Sequence, residues 1–290
     1  MMWQPSPLDG EMLFRKVEST ESYTALYHER LDQIESDHKF EAALVYDPDI
    51  RSTGYKAYCA VCSGQFAMSV AIGADPEKTN WRETLACQCG LNSRQRAAFH
   101  FLVQRSKPLH RLAIYVCEQT TPFYREVGRK TGHLVGSEYL GDGVPAGHIN
   151  EQGIRHESAT GLSFPDESFD RYLSFDVFEH IPDYLKAFRE AARVLRPGGK
   201  LVFTVPFDQG RQDHQIRAKM LPSGEIEHIL PPEYHGDPMS QAGVLCFQIF
   251  GWDMLNDLKH SGFRKAAAYI YYSRQYGYLG GLPGIFEAVK

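Results

Sequence analysis

GLSFPDESFDRYLSFDVFEHIPDYLKAFREAARVLRPGGKLVFTVP, residues 161 to 206, is the stretch whose reading decides the fold. Pro165 and Asp166 place a turn, because proline fixes its own φ and aspartate bonds to nearby backbone. FDRYLSF follows as a strand and DYLKAFREAARVL as a helix. Pro197, Gly198 and Gly199 then stop the helix and reverse the chain into the strand KLVFTVP, which makes RPGG a helix stop and not a ligand loop.

The same alternation runs outward in both directions. From Leu112 the segments LAIYVC, PFYREVGRK, HLVGSEY and GIRHES lead into this stretch, and GWDMLNDLKHSG, AAAYIYYS and GIFEAVK follow it. Strands alternating with helices predict an α/β fold, a doubly wound and mostly parallel open sheet with helices on both faces. Residues 207 to 246 form the longest insertion without periodicity, placed where lids over substrate sites occur. Residues 11 to 40 space Tyr27, Leu31 and Ile34 among charges and predict an amphipathic helix. Residues 55 to 92 carry YCAVC and LACQCG, and a helix is expected through RQRAAFHFLVQR. The expected division is therefore a helical, cysteine-bearing region over 1–107 and an α/β domain over 108–290.

Bulk properties narrow the function classes. The 290 residues are 43% hydrophobic and 23% charged, as in folded soluble chains, and the formal net charge is -5. That balance argues against non-specific attraction to nucleic acid or anionic lipid. MMWQPSPLDGEMLF has neither the basic flank nor the apolar stretch of a signal peptide, and no window approaches the roughly 20 apolar residues of a membrane span. A cytoplasmic location is expected, where thiols stay reduced and closely spaced cysteines point to metal before disulfides.

The order and spacing of LSFPDESFD, the pair Glu179-His180 and RVLRPGGKLVFTVP resemble the class I S-adenosylmethionine-dependent methyltransferases, in particular the methyltransferase type 11 group. The resemblance covers about residues 108 to 290 and implies a seven-stranded sheet whose last strand is reversed. It also implies S-adenosylmethionine as cofactor, lying across the carboxyl ends of the first four strands. Glu138, twenty residues beyond Glu118, is then expected to accept hydrogen bonds from both ribose hydroxyls, with Tyr139 beside it. Family members usually place Asp after the third strand for the adenine amino group. Ser158 stands there instead, and Glu157 is the neighbouring acceptor. Phe175 and Asp176 are expected to border the reactive sulfonium.

The first turn, CEQTTPFYREV, lacks the glycines of the family's acidic-x-Gly-x-Gly pattern. The cofactor has no phosphates and needs no anion cradle, but its methionine carboxylate wants donors. Thr121 is expected to cap a helix that starts at Pro122, and Gln119, Thr120 and Thr121 to face the carboxylate. Glu118 is expected to meet the ammonium group.

Methyl transfer needs mainly a nucleophile held in line with the methyl carbon, and a general base helps a hydroxyl acceptor. The candidate catalytic residues are His180, after the fourth strand, and His228 and His235 in EIEHILPPEYHGDP within the insertion. Asp176-Val-Phe-Glu179-His180 also echoes the acidic-x-x-Glu-His arrangement of metal-dependent methyltransferases, but the remaining ligands cannot be identified from the sequence.

Cys59 and Cys62 form C-x-x-C, and Cys87 and Cys89 form C-x-C. Two chelating thiolate pairs can complete a structural zinc site in a zinc-ribbon-like module with no open coordination position. Cys117 and Cys246 read as core residues. Arg94, Arg96, Arg105, Lys107 and Arg111 cluster after the module and read as a solvated helix face, with RNA binding as the competing reading. The expectation is a methyltransferase for a small-molecule or saccharide acceptor, with nucleic acid not expected as a partner. Its rivals are a binding or scaffold protein that has lost the cofactor and an RNA-modifying enzyme. A nicotinamide dehydrogenase is disfavoured because a pyrophosphate would have no glycine-lined cradle.

Overall fold

Strands covered on both faces read as continuous apolar runs, and AIYV, FDRYLSF and LVFT are buried along most of their length. The computed structural model describes residues 12–106, 108–237 and 240–290. The chain forms two compact units, one holding the N-terminal chain to Val17, Glu21–Lys107 and Ala268–Ile285, the other Glu18–Thr20, Pro108–Ala267 and Phe286–Lys290.

The first unit begins with β1 (Met12–Val17), α1 (Thr20–Glu29), α2 (Leu31–Leu44) and α3 (Pro48–Thr53). A single helix over residues 11 to 40 is thus corrected to a strand and two helices. Phe14 takes a left-handed φ of 56° that takes its ring in among His100, Phe101 and Tyr271, and the helical run breaks at Arg30. The hairpin β2 (Tyr55–Cys59) and β3 (Gly64–Val70) pairs with β4 (Leu85–Ala86), which follows α4 (Trp81–Thr84). α5 (Ser93–Arg105) comes next, started by a capping box between Asn92 and Gln95.

The second unit contains β5 (Ala113–Val116), α6 (Pro122–Gly128), β6 (His133–Gly136), β7 (Phe169–Phe175), α7 (Tyr184–Val194) and β8 (Leu195–Thr204). The insertion folds into short strands, β9 (Gln215–Ile216), β10 (Ala218–Met220), β11 (Ile226–His228), β12 (Tyr234–Asp237), β13 (Ser240–Leu245) and β14 (Gln248–Ile249). α8 (Met254–His260), β15 (Lys265–Tyr272) and β16 (Gly284–Val289) close the chain.

One sheet has seven strands in the order β1-β15-β16-β8-β7-β5-β6. β6, β5, β7 and β8 are parallel to one another and β16 runs antiparallel to β8, so the reversed last strand is present. The membership differs from expectation at both edges. GIRHES contributes only a parallel bridge between Glu138 and His156, because residues 147–156 fold back on themselves. The backbone N–H of His156 goes to His148 and its carbonyl to Gly147. β1, antiparallel to β15, supplies the strand that restores the number.

RPGG also differs in detail. The helix stops at Val194, but β8 starts at Leu195, before the glycines. The register against β7 shifts between Leu195 and Lys200, so Pro197, Gly198 and Gly199 form a bulge within the strand. Gly198 has a φ of 78°. Beneath the end of β7, the rings of Phe178, Phe188 and Phe203 meet edge-on at 4.9 and 5.5 Å and anchor the turn that follows the strand.

Candidate active site

At the carboxyl end of β5 the turn is closed by an acid from the neighbouring strand. Glu138 Oε1 accepts from the Gln119 N–H at 2.7 Å, the Thr120 N–H at 2.9 Å and the Thr120 hydroxyl at 2.9 Å. Its other oxygen makes no hydrogen bond among the described residues. The Thr121 hydroxyl accepts from the Tyr124 N–H and Pro122 occupies the first position of α6, as the sequence implies. Close backbone approach is obtained from β6 and not from the turn. A methyl at Gly136 would lie 2.6 Å from the Glu118 carbonyl oxygen and 2.4 Å from the Tyr124 ring. The Gln119 amide reaches the next loop, donating to the Gly153 carbonyl at 2.9 Å and accepting from the Arg155 N–H at 2.8 Å. Phe123 is buried edge-on against Phe175, with ring centroids 4.6 Å apart.

Glu157 does not face an open site. Its carboxylate binds Arg155 Nε at 2.8 Å and both the Ser163 N–H and hydroxyl, at 2.8 and 2.5 Å, and the side chain is fully buried. The expectation that it accepts from adenine is corrected on that ground. The Ser158 hydroxyl lies 3.0 Å from that of Thr160, and Tyr139 is exposed and donates to Asp142. Asp176 holds a left-handed φ of 53°, its carboxylate accepting from the Thr204 hydroxyl at 2.7 Å.

The insertion is fastened to the turn after β7. Phe247 N–H donates to the Glu179 carbonyl at 2.8 Å, and the buried Gln248 amide donates to the carbonyls of Phe178 and Ile181. Pairing of β12 with β13 then sets His235 opposite Val244, and His180 and His235 come together edge-on at 5.0 Å. His228 stays apart, exposed on β11. Between the two imidazoles lies Glu179, whose side chain has no solvent exposure. Its Oε1 is 3.6 Å from His180 Nε2 and 3.5 Å from His235 Nδ1, and neither carboxylate oxygen is hydrogen-bonded among the described residues. Burial pushes this carboxyl up to about 7, with the nearby His235 opposing the rise. Glu179 in turn raises His235 above its ordinary value. On the outer side, His180 Nδ1 is 2.8 Å from the Leu245 carbonyl and His235 Nε2 is 3.3 Å from Glu233 Oε1. Glu233 and the Leu245 carbonyl carry no sequence signal, being more than fifty residues from Glu179.

In the first unit the β2–β3 hairpin and the turn after β4 bring the Cys59, Cys62, Cys87 and Cys89 sulfurs within 4.8 Å of one another, all as thiols. Cys62 and Cys87 are 3.9 Å apart. Four sulfurs at ~2.3 Å from one tetrahedral ion stand roughly 3.8 Å apart, so this donor set fits zinc. The expected solvated basic face is present only in part, with Arg105 and Arg111 exposed. Arg96 is buried and donates to the carbonyls of Tyr276 and Gly277, Arg94 pairs with Glu83, and Arg105 lies over the rings of Phe101 and Tyr269. Lys107 falls outside the described residues.

Residues 127–203 match the family model described as a methyltransferase domain. That stretch is similar to methyltransferase domains, the likeness that the sequence motifs also carry. The match begins just past the glycine-poor turn. The chain is 32% identical over 95 residues to a 27-O-demethylrifamycin SV methyltransferase of Amycolatopsis mediterranei, covering 31% of this chain and 35% of that one. It is 30% identical over 100 residues to a demethylmenaquinone methyltransferase of Halalkalibacterium halodurans, covering 31% and 41%. The chain thus spans well under half the length of these curated relatives. A Burkholderia thailandensis 1,6-didemethyltoxoflavin-N1-methyltransferase structure shares 13% identity at a TM-score of 0.44, covering 68% and 78% of the two chains.

Proposed function

We propose that this protein transfers a methyl group from S-adenosylmethionine to a small-molecule acceptor, a saccharide intermediate among the candidates. The observation that carries the reading is Glu138, two residues past β6, with one carboxylate oxygen tied to the turn and the other without a hydrogen bond among the described residues. That free oxygen suits a ribose hydroxyl. The names of the two curated relatives support a small organic acceptor.

The cofactor would supply an electrophilic methyl on a cationic sulfur that leaves readily. The chain's own groups do the holding. Glu138 would accept from the ribose, Glu118 would meet the ammonium group, and Thr121 would offer its hydroxyl to the carboxylate, that of Thr120 being donated to Glu138. Tyr139 presents an exposed ring for the adenine face, and Ser158 is left as the polar group at its edge once Glu157 is removed from the set. Phe175 and Asp176 border the reacting end. His180 and His235 stand after β7 as candidates to receive a proton from a hydroxyl acceptor, and the exposed His228 is not among them. The four cysteines would hold a structural zinc in the N-terminal region, within the 1–107 division that the sequence suggests, in a cytoplasmic protein.

A second reading, a fold kept without its cofactor, is favoured by one observation. The side chains of Gln119 and Thr120 are already bonded to Gly153, Arg155 and Glu138 across the turn. Calorimetry with S-adenosylhomocysteine separates the two. Binding that weakens about tenfold to a hundredfold in Glu138→Gln supports the transferase, because glutamine keeps an oxygen for the turn but turns an amide toward the ribose. Absence of binding in the native chain establishes the second reading.

A further inference from the structure

We propose that Glu179, His180 and His235 form a binding site for one divalent transition-metal cation of the zinc type, with a coordination position left over for an oxygen ligand. The site goes beyond the methyltransferase reading and can be tested without methyl transfer.

Three donor atoms converge, and their spacing is wrong for hydrogen bonds but right for a shared ion. Glu179 Oε1 stands 3.6 Å from one imidazole nitrogen and 3.5 Å from the other. Hydrogen bonds between such atoms close to ~2.7–3.2 Å. Nitrogen and oxygen ligands about 2.0–2.2 Å from a tetrahedral ion stand roughly 3.4 Å apart.

The second observation is the carboxylate itself. It is sealed from solvent, and neither oxygen has a hydrogen-bond partner among the described residues. A buried carboxylate left in that condition costs several kcal/mol by order of magnitude, and a cation at its Oε1 removes the cost.

The third lies on the outer side of each ring. The Leu245 carbonyl can only accept, so His180 Nδ1, 2.8 Å away, carries a proton. On the other ring, Glu233 Oε1 stands on the outer side, 3.3 Å from His235 Nε2. With the outer nitrogens carrying the protons, His180 Nε2 and His235 Nδ1 turn their lone pairs toward Glu179. Two lone pairs and a carboxylate facing one point repel unless a proton or a metal cation lies between them. Outer N–H groups donated to a carbonyl and a carboxylate are also the arrangement that orients metal-bound histidines.

Two imidazoles with one carboxylate select zinc, cobalt, nickel or iron over magnesium or calcium, and three protein ligands leave a place for a further oxygen. Asp176 of the acidic-x-x-Glu-His pattern is not part of the set, since its carboxylate is engaged by Thr204 and it does not join the cluster of convergent donors. The third ligand comes from the insertion.

The test is a cobalt(II) titration of the full chain, stripped of metal under reducing conditions and followed by absorption. Cobalt at the four cysteines gives sulfur-to-metal charge transfer, whereas cobalt at Glu179, His180 and His235 gives ligand-field bands without it. The expected result is a sulfur-free component of one equivalent, lost or weakened at least about tenfold in His235→Ala and in Glu179→Gln, with the thiolate component unchanged. His235 lies partly exposed on a hairpin, so its variant serves even where Glu179→Gln does not fold. No sulfur-free component in the native chain, or one that His235→Ala leaves at full affinity, overturns the site.

Discussion

A missing side chain at Gly136 controls the turn after β5. With no Cβ there, the Glu118 carbonyl and the Tyr124 ring close onto β6, and the turn needs no glycine of its own. Gly136→Ala is expected to lower the unfolding free energy by about 1–3 kcal/mol in urea titrations, since one of the two opposed groups is backbone and cannot swing aside. The place of Glu138 beside the turn was legible at this scale, because its distance along the chain from Glu118 is a property of one βαβ unit. Glu157 was not, because its burial depends on Ser163 folding back over it. Nor was Glu179, whose neighbours arrive from residues 233 to 245.

Elements around the site are tied by a few side chains. Gln248 bonds two carbonyls in the turn after β7 and is nearly sealed from water. Gln248→Ala leaves both carbonyls without that donor and is expected to cost about 1–3 kcal/mol in chemical denaturation. A second tie has a pH signature. Arg193 holds the Glu190 carboxyl below its ordinary range, and the pair fastens α7 to the loop at Leu162 and Phe164. A depressed carboxyl stabilises the fold above the unfolded-state value, about 4.3, and loses that contribution as pH falls through the lower folded value. Melting temperatures measured down through that window are expected to fall less steeply for Glu190→Gln than for the native chain. The helices and central strands were readable from period and punctuation. The reduced third strand was not, because the competing partners of His156 are local turns that apolar patterning does not encode.

Across the whole molecule, the alternation of strands and helices made the α/β sheet legible, and the two cysteine pairs made their convergence legible. The sign of the basic stretch misled in the opposite way. Arginines look solvated in a sequence, yet Arg96 is buried where carbonyls of Tyr276 and Gly277 turn inward. Long guanidinium side chains can satisfy distant backbone, which charge counting cannot reveal.

β1 has a consequence for how the protein behaves at high concentration. It covers the flank of β15, whose sequence KAAAYIYY is uncharged after its first residue and almost wholly apolar. An uncovered strand of that kind is a template on which further copies can add backbone to backbone. Deletion through Val17 is expected to convert the protein into concentration-dependent oligomers by light scattering. Those Arg15 and Lys16 side chains then act as gatekeepers, setting a charged outermost rail where a sticky one would otherwise lie.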